Sequence, residues 1–318
     1  MLLSHAIGRT IVIAGPTAIG KTAAALALAR QNPGQFEIVS ADSIQAYRRF
    51  DIGSAKPTMA ERLELRFHLI DVAEPDQDFT LVDYQTLAYA AMTDIVGRGK
   101  TPILVGGTGL YVRSIISGLG VPLAGPDQAL RSKMVELALS QGNTALHQQL
   151  AAIDPESAER IHENDLKRTI RALEVFKLSG RPLSSWHRED ASRERNAPRA
   201  YFVLDRNRAN LYAKIDERSE TMFEQGIIEE TASLRAEGYS AGLKPMTALG
   251  YLQANQVLDD QISMAEAAAL TKAATRQYAR RQLIWFRGEK GVRWIDVEVM
   301  SSDDVAEAIL MAMNEQDV

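Results

Sequence analysis

Residues 15–22 read GPTAIGKT, the GxxxxGK[ST] spacing of a P-loop. A glycine-bounded turn from strand to helix aims backbone N–H groups, and the positive end of the helix dipole, at a phosphate. On this reading Gly15, Pro16, Thr17, Ala18, Ile19 and Gly20 form the phosphate-facing turn, and Lys21 adds a point charge for the distal phosphate. The Thr22 hydroxyl suits Mg²⁺. Two more candidates lie downstream. Asp42, in SADSIQAY, could serve as a general base or reach Mg²⁺ through water, or could do no more than cap a helix. Thr108, in GGTGLY, sits among glycines that admit a ligand, where its hydroxyl could donate to a phosphate or leaving-group oxygen. The alternative for that motif is a plain glycine turn opening a helix. The chemistry common to these groups is the handling of a di- or triphosphate.

These residues need elements to hold them. Apolar runs at 11–14, 36–40, 67–72, 102–105 and 201–204 alternate with helical stretches. That alternation predicts an α/β fold with a P-loop NTPase-like parallel sheet flanked by helices. Ligands in such sheets bind beyond the carboxyl ends of the strands, where the P-loop, Asp42 and Thr108 all fall. Between 121 and 199 the strand signal disappears. This segment opens on VPLAGP, carries helical patterns near 127–141, 144–152, 155–160 and 165–179, and closes on the polar stretch 187–199. It reads as an all-helical insertion domain between a core of 1–120 and 200–318. VRWIDV at 292–297 is the candidate last strand.

The composition, 46% hydrophobic and 24% charged, is that of a globular protein with a sizeable core. The absence of cysteine excludes disulfides and thiolate metal sites. The five histidines show no metal-ligand spacing. No apolar run approaches a membrane span, and the N-terminus is too short for a signal peptide, so the expectation is a cytoplasmic protein.

The net charge of −5 conceals a segregation. Residues 160–199 hold ten Lys/Arg against six Asp/Glu, and residues 271–293 hold seven against one. Such segregation suits a face that binds a polyanion. At 100° per residue, Lys272, Arg276, Arg280 and Arg287 fall within an arc of about 80°, with Ala267, Ala274, Tyr278 and Trp285 opposite as a predicted core stripe. In 164–178, Leu166, Ile170 and Leu173 make a core stripe, while Lys167, Arg168 and Arg171 share another face.

The order GPTAIGKT, SADSIQAY, DIGSAKPT (51–58), FHLID (67–71) and GGTGLY resembles the bacterial tRNA dimethylallyltransferases, or tRNA isopentenyltransferases. So do NDLKRTIRALEVFKLSGRPLS (164–184), MTALGY (246–251) and RRQLIWFR (280–287), which extend the resemblance over essentially the whole chain. Two small departures are Ile19, where a small residue is frequent, and Gly109, where a larger side chain is usual.

The resemblance implies transfer of a dimethylallyl group from dimethylallyl diphosphate to N6 of the adenine 3′ to the tRNA anticodon, by a monomer using Mg²⁺. The P-loop then holds a leaving diphosphate, with Arg218 in a segment the family places near it. Asp42 is the candidate base, Thr108 the leaving-group donor, and Arg131 aligns with an arginine of the family's catalytic centre. Without the resemblance, Arg131 reads as a surface helix residue. Contacts to the tRNA anticodon stem-loop are implied for Asp42, Ser43, Ile44 and Gln45. They are implied also for Leu166, Lys167, Arg168, Thr169 and Ile170, and for Arg276, Arg280, Arg281, Gln282, Trp285 and Arg287. A small-molecule kinase would share the P-loop and the acid, but would leave SADSIQAY, GGTGLY and the basic segments unexplained. A non-catalytic P-loop RNA-binding regulator would leave Asp42 and Thr108 without a role, and an enzyme prenylating a free adenine nucleotide would not need the basic insertion.

Overall fold

The structure, a computed structural model, describes residues 2–118, 127–192 and 197–314. VPLAGP and part of the polar stretch after 187 lie outside these residues. The chain forms two compact units. One comprises residues 1–79, 83–116 and 196–318, and the other residues 80–82 and 117–195.

The first unit is built on a six-stranded parallel sheet: β1 (Ile11–Ala14), β2 (Phe36–Ser40), β3 (Phe67–His68), β4 (Thr101–Gly106), β5 (Ala200–Asp205) and β6 (Arg293–Asp296). The strand order is β3-β2-β4-β1-β5-β6. Strands β1, β2 and β4 are buried at every position, as befits parallel strands covered on both faces. On one face Ile11, Ile13, Ile103, Val105, Phe202 and Leu204 pack with Leu26 and Leu28 of the helix Lys21–Gln31 and Ile309 of the helix Ser302–Asn314. The run at 67–72 yields only the two residues of β3, because Leu69 and Asp71 take positive φ angles of 64° and 57° that no strand accommodates. Asp71 instead receives Lys56 Nζ (2.7 Å) and Arg62 Nη1 (2.6 Å). Burial pushes its carboxyl up, but the two cations outweigh burial and hold it below the usual range. No helix among the described residues is long and apolar enough to cross a membrane.

The second unit is helical, with Gln128–Gln141, Asn143–Ile153, Pro155–Arg160, Leu166–Ser179 and Leu183–Ser192. The last of these runs into the polar stretch that begins at 187, beyond the helical patterns read from the sequence. Asp127, Asp154 and Asp165 cap three of these helices by accepting from the amides of Leu130, Ser157 and Arg168. Met134, Leu146, Leu150, Ile170 and Leu173 form the unit's core. At its centre Glu174, fully buried, accepts from Arg131 Nε (2.8 Å), Arg171 Nη1 (2.8 Å) and the Asp127 amide (2.9 Å). Burial raises the Glu174 carboxyl, and the two arginines more than compensate.

Candidate active site

The sheet register brings three chemical segments together. Strand β4 lies between β2 and β1, with Ser40 opposite Val105 and Ala14 opposite Gly106. The chain leaving β2 toward Asp42, the glycine turn after β4 and the P-loop after β1 therefore emerge side by side. Neighbouring parallel strands are only about 4.8 Å apart, so the turns touch. A Cβ on Gly106 would collide with the backbone of Ala41, and one on Gly15 would lie 2.8 Å from the carbonyl of Leu204. Thr108 N–H donates to Ala41 O (3.1 Å), and Ser43 N–H donates to Thr108 Oγ1 (3.2 Å).

Asp42 Oδ1 accepts from the amides of Ile44 (2.9 Å) and Gln45 (3.2 Å). No helix follows Asp42, so the helix cap that the sequence left open is instead the cap of a turn over residues 43–46, and it occupies one oxygen only. Oδ2 has no hydrogen-bond partner among the described residues, and Asp42 lines a cavity of about 390 Å³ with Lys21, Thr22, Gly107 and Arg218. The helix Lys21–Gln31 opens on Gly20 (φ 98°) with no side-chain cap, so its first amides are left to a ligand.

Two partly buried cations dominate this chamber. Lys21 Nζ donates to Pro16 O (2.6 Å). Burial foremost, then the like charge of Arg218, lower its ammonium to about 7 against the opposing pull of Asp42. Arg218, on the helix Arg208–Glu224, donates from Nη1 to Thr17 Oγ1 (3.0 Å). Burial holds its pKa below the ordinary value, with Asp42 opposing. Two desolvated cations facing one carboxylate are an arrangement that an anion completes. The Thr22 hydroxyl and the Asp42 carboxylate line the same chamber, and these hard oxygens, with those of a phosphate and water, would suit Mg²⁺.

A second cavity, of about 240 Å³, adjoins the first and shares Thr17, Asp42, Ser54, Arg218 and Tyr278. It adds the apolar Ile44, Met222, Ala248 and Leu249. Tyr278, which the helical periodicity assigns to the core, stands between the two cavities. Its hydroxyl is pushed up to about 12 by burial foremost and then by the charge of Asp42, while Thr108 and Gln282 beside it oppose the shift.

The helix Met264–Arg287 is rotated from the predicted stripe. Its buried residues are Ala267, Thr271, Ala279, Gln282 and Phe286. Thr271 and Gln282 are polar, so a hydropathy pattern turns the face toward Ala274, Tyr278 and Trp285, which are in fact only partly buried. Of the candidate RNA contacts here, Gln282 is buried and Trp285 packs on Gly109, with the Arg113 guanidinium 4.0 Å from its ring centre. A Cβ on Gly109 would collide with this indole, which explains glycine at that position. Arg276 is held by Asp216, and Lys272 by Glu220. Arg280, Arg281 and Arg287 are exposed and form no ion pair among the described residues. Gln45 is turned inward, with Nε2 on the carbonyls of Ser54 and Ala55 (both 3.2 Å). Ser43 and Ile44 line the second cavity.

In the helical unit, Thr169 and Ile170 are buried and Leu166 packs against the core, so none of the three offers RNA a free side chain. Lys167 and Arg168 are exposed, Arg168 beside Asp165. Arg131 is partly exposed within the Glu174 network, where the sequence alone suggests a plain surface residue.

The family model for IPP transferase matches residues 45–289. A tRNA dimethylallyltransferase of Anaeromyxobacter sp. is 45% identical over 95% of this chain and 99% of its own. One from Desulfitobacterium hafniense is 43% identical over 94% of this chain and 95% of its own. The crystal structure of the tRNA isopentenylpyrophosphate transferase of Bacillus halodurans is similar with a TM-score of 0.69 and 35% identity, covering 98% of both chains.

Proposed function

Because the chain belongs to the IPP transferase family, we propose that it transfers a dimethylallyl group from dimethylallyl diphosphate to N6 of the adenine 3′ to the tRNA anticodon, releasing diphosphate. One observation carries the reading. A cationic chamber at the P-loop adjoins a second, partly apolar cavity, and Asp42 lines both.

The bond from the allylic carbon to the diphosphate oxygen breaks as the bond from N6 forms. Negative charge growing on the diphosphate is met by Lys21, Arg218 and the amides at the start of the P-loop helix, with Thr108 donating to a leaving-group oxygen. The exocyclic amine is a poor nucleophile because its lone pair is delocalised into the ring, so it gains from losing a proton as it attacks. Asp42 Oδ2 takes that proton. Thr22 and Asp42 are the residues that would hold Mg²⁺ in this chamber, and the ion would supply further neutralisation of charge on the diphosphate.

The adenine must leave its stack to enter the second cavity, at about a few kcal/mol, and backbone contacts elsewhere offset this. Arg280, Arg281 and Arg287 on one unit, and Lys167 and Arg168 on the other, are the cations suited to it. Arg131 is assigned to the catalytic centre on the family resemblance. The protein acts as a monomer in the cytoplasm. Incubation with radiolabelled dimethylallyl diphosphate, total tRNA and Mg²⁺ should place label in the tRNA. Label confined to the donor, together with phosphate transfer from ATP to a metabolite panel, would replace this reading with a kinase.

A further inference from the structure

We infer that Gln282 is a positioning residue for the transfer, a clamp that sets the distance between the P-loop and the glycine turn, and not an RNA contact. The inference rests on the transferase reading for its kinetic consequence. Gln282 reaches from the long helix between the two turns that face the donor. The Thr17 amide donates to its Oε1 at 2.9 Å, and its Nε2 donates to Gly107 O at 2.8 Å. Only one orientation of the amide satisfies both bonds, so the side chain has a single productive placement. It is 6% exposed, and although it borders the P-loop cavity, its Oε1 and Nε2 are both engaged within the protein.

Two neighbours carry the argument further. A Cβ on Gly107 would collide with Gln282 Nε2, so glycine at 107 is the complement of the clamp and not merely a flexible turn. One helical turn before Gln282, Tyr278 stands beside Thr108 between the two cavities. A single side chain thus joins Thr17, which receives Arg218, to the turn that carries Thr108. A shift of about 1 Å in either turn would misplace charge stabilisers for the departing diphosphate, and such misplacement costs about 10²-fold in rate.

The test compares Gln282→Met, which keeps the length and removes both hydrogen bonds, with Gly107→Ala, which opens the clamp from the other side. Three quantities are measured on folded protein: the Kd for inorganic pyrophosphate with Mg²⁺, the Kd for an unmodified anticodon stem-loop, and the single-turnover transfer rate. Both variants should weaken pyrophosphate by about fivefold or more and slow transfer by about 10- to 100-fold, with RNA affinity held within about twofold. Loss of RNA affinity with an unchanged rate would make Gln282 an RNA contact. Three unchanged quantities, or failure of both variants to fold, would reduce it to core packing. If wild type transfers nothing while the variants still lose pyrophosphate binding, the transferase reading fails and the clamp stands.

Discussion

Ser43 donates its amide hydrogen to Thr108 Oγ1 at 3.2 Å, which joins the turns after β2 and β4 one residue beyond Asp42. The bond fixes the candidate base relative to the candidate leaving-group donor. It uses Thr108 as an acceptor, which leaves the hydroxyl proton to the neighbouring Tyr278 oxygen or, when the donor is bound, to a phosphate oxygen.

Asp42→Asn separates the two roles of this side chain. The amide keeps an oxygen for Ile44 and Gln45 but cannot accept a proton from N6. The single-turnover rate should fall by about 10²–10⁴, with RNA affinity nearly intact. A rate within a few-fold of wild type would leave Asp42 as a cap.

Thr108→Ala should slow transfer by about 10²-fold, comparable with removing one oxyanion-type donor. Steady-state kinetics decide its role. A fall in kcat marks a donor to charge that develops in the transition state, whereas a rise in KM alone marks ground-state binding.

Lys21 should make donor binding depend on pH. In the protein alone its ammonium titrates at about 7, and a bound diphosphate favours the charged form and raises that pKa. Above pH 7 binding therefore takes up a proton, and affinity falls as pH rises, by up to about tenfold per unit. Calorimetry of pyrophosphate binding at pH 8, in buffers of different ionisation enthalpy, should show more proton uptake for wild type than for Lys21→Arg. Equal uptake would exclude Lys21 as the titrating group.

The exposed arginines should act on RNA and not on the donor. Changing Arg280, Arg281 and Arg287 to Gln should lower the slope of log K against log salt by up to about 0.7–0.9 for each RNA phosphate no longer neutralised. Arg276→Gln should leave that slope unchanged and remove an ion pair with Asp216 worth about 0–1 kcal/mol. Salt titrations of anticodon stem-loop binding distinguish the two. Parallel lines for the triple variant would make the three arginines a solvated face.

The P-loop, β2 and β4 are legible in the sequence because each couples a short apolar run to a turn whose residue types have few other uses. Their convergence follows from the rule that parallel-sheet ligands sit at carboxyl strand ends, and Asp42, Lys21 and Thr108 lie there. What the sequence hides depends on partners remote in the chain. Thr271 and Gln282 are buried polar residues, so hydropathy misplaces the inner face of their helix and hides Tyr278 in the core. Arg276 looks like its neighbours until Asp216, 60 positions away, is seen to hold it. In the helical unit the apolar spacing identifies Ile170 as core, whereas a motif match alone offers it to RNA.

The most direct test of the central claim is the fate of the prenyl group. An unmodified anticodon stem-loop incubated with the protein, dimethylallyl diphosphate and Mg²⁺ should gain one dimethylallyl group. Fragment mass spectrometry should place it on N6 of the adenine 3′ to the anticodon, with one diphosphate released per group, and released about 10²- to 10⁴-fold more slowly by Asp42→Asn. A group on another nucleotide, or diphosphate released without RNA modification, would contradict the account.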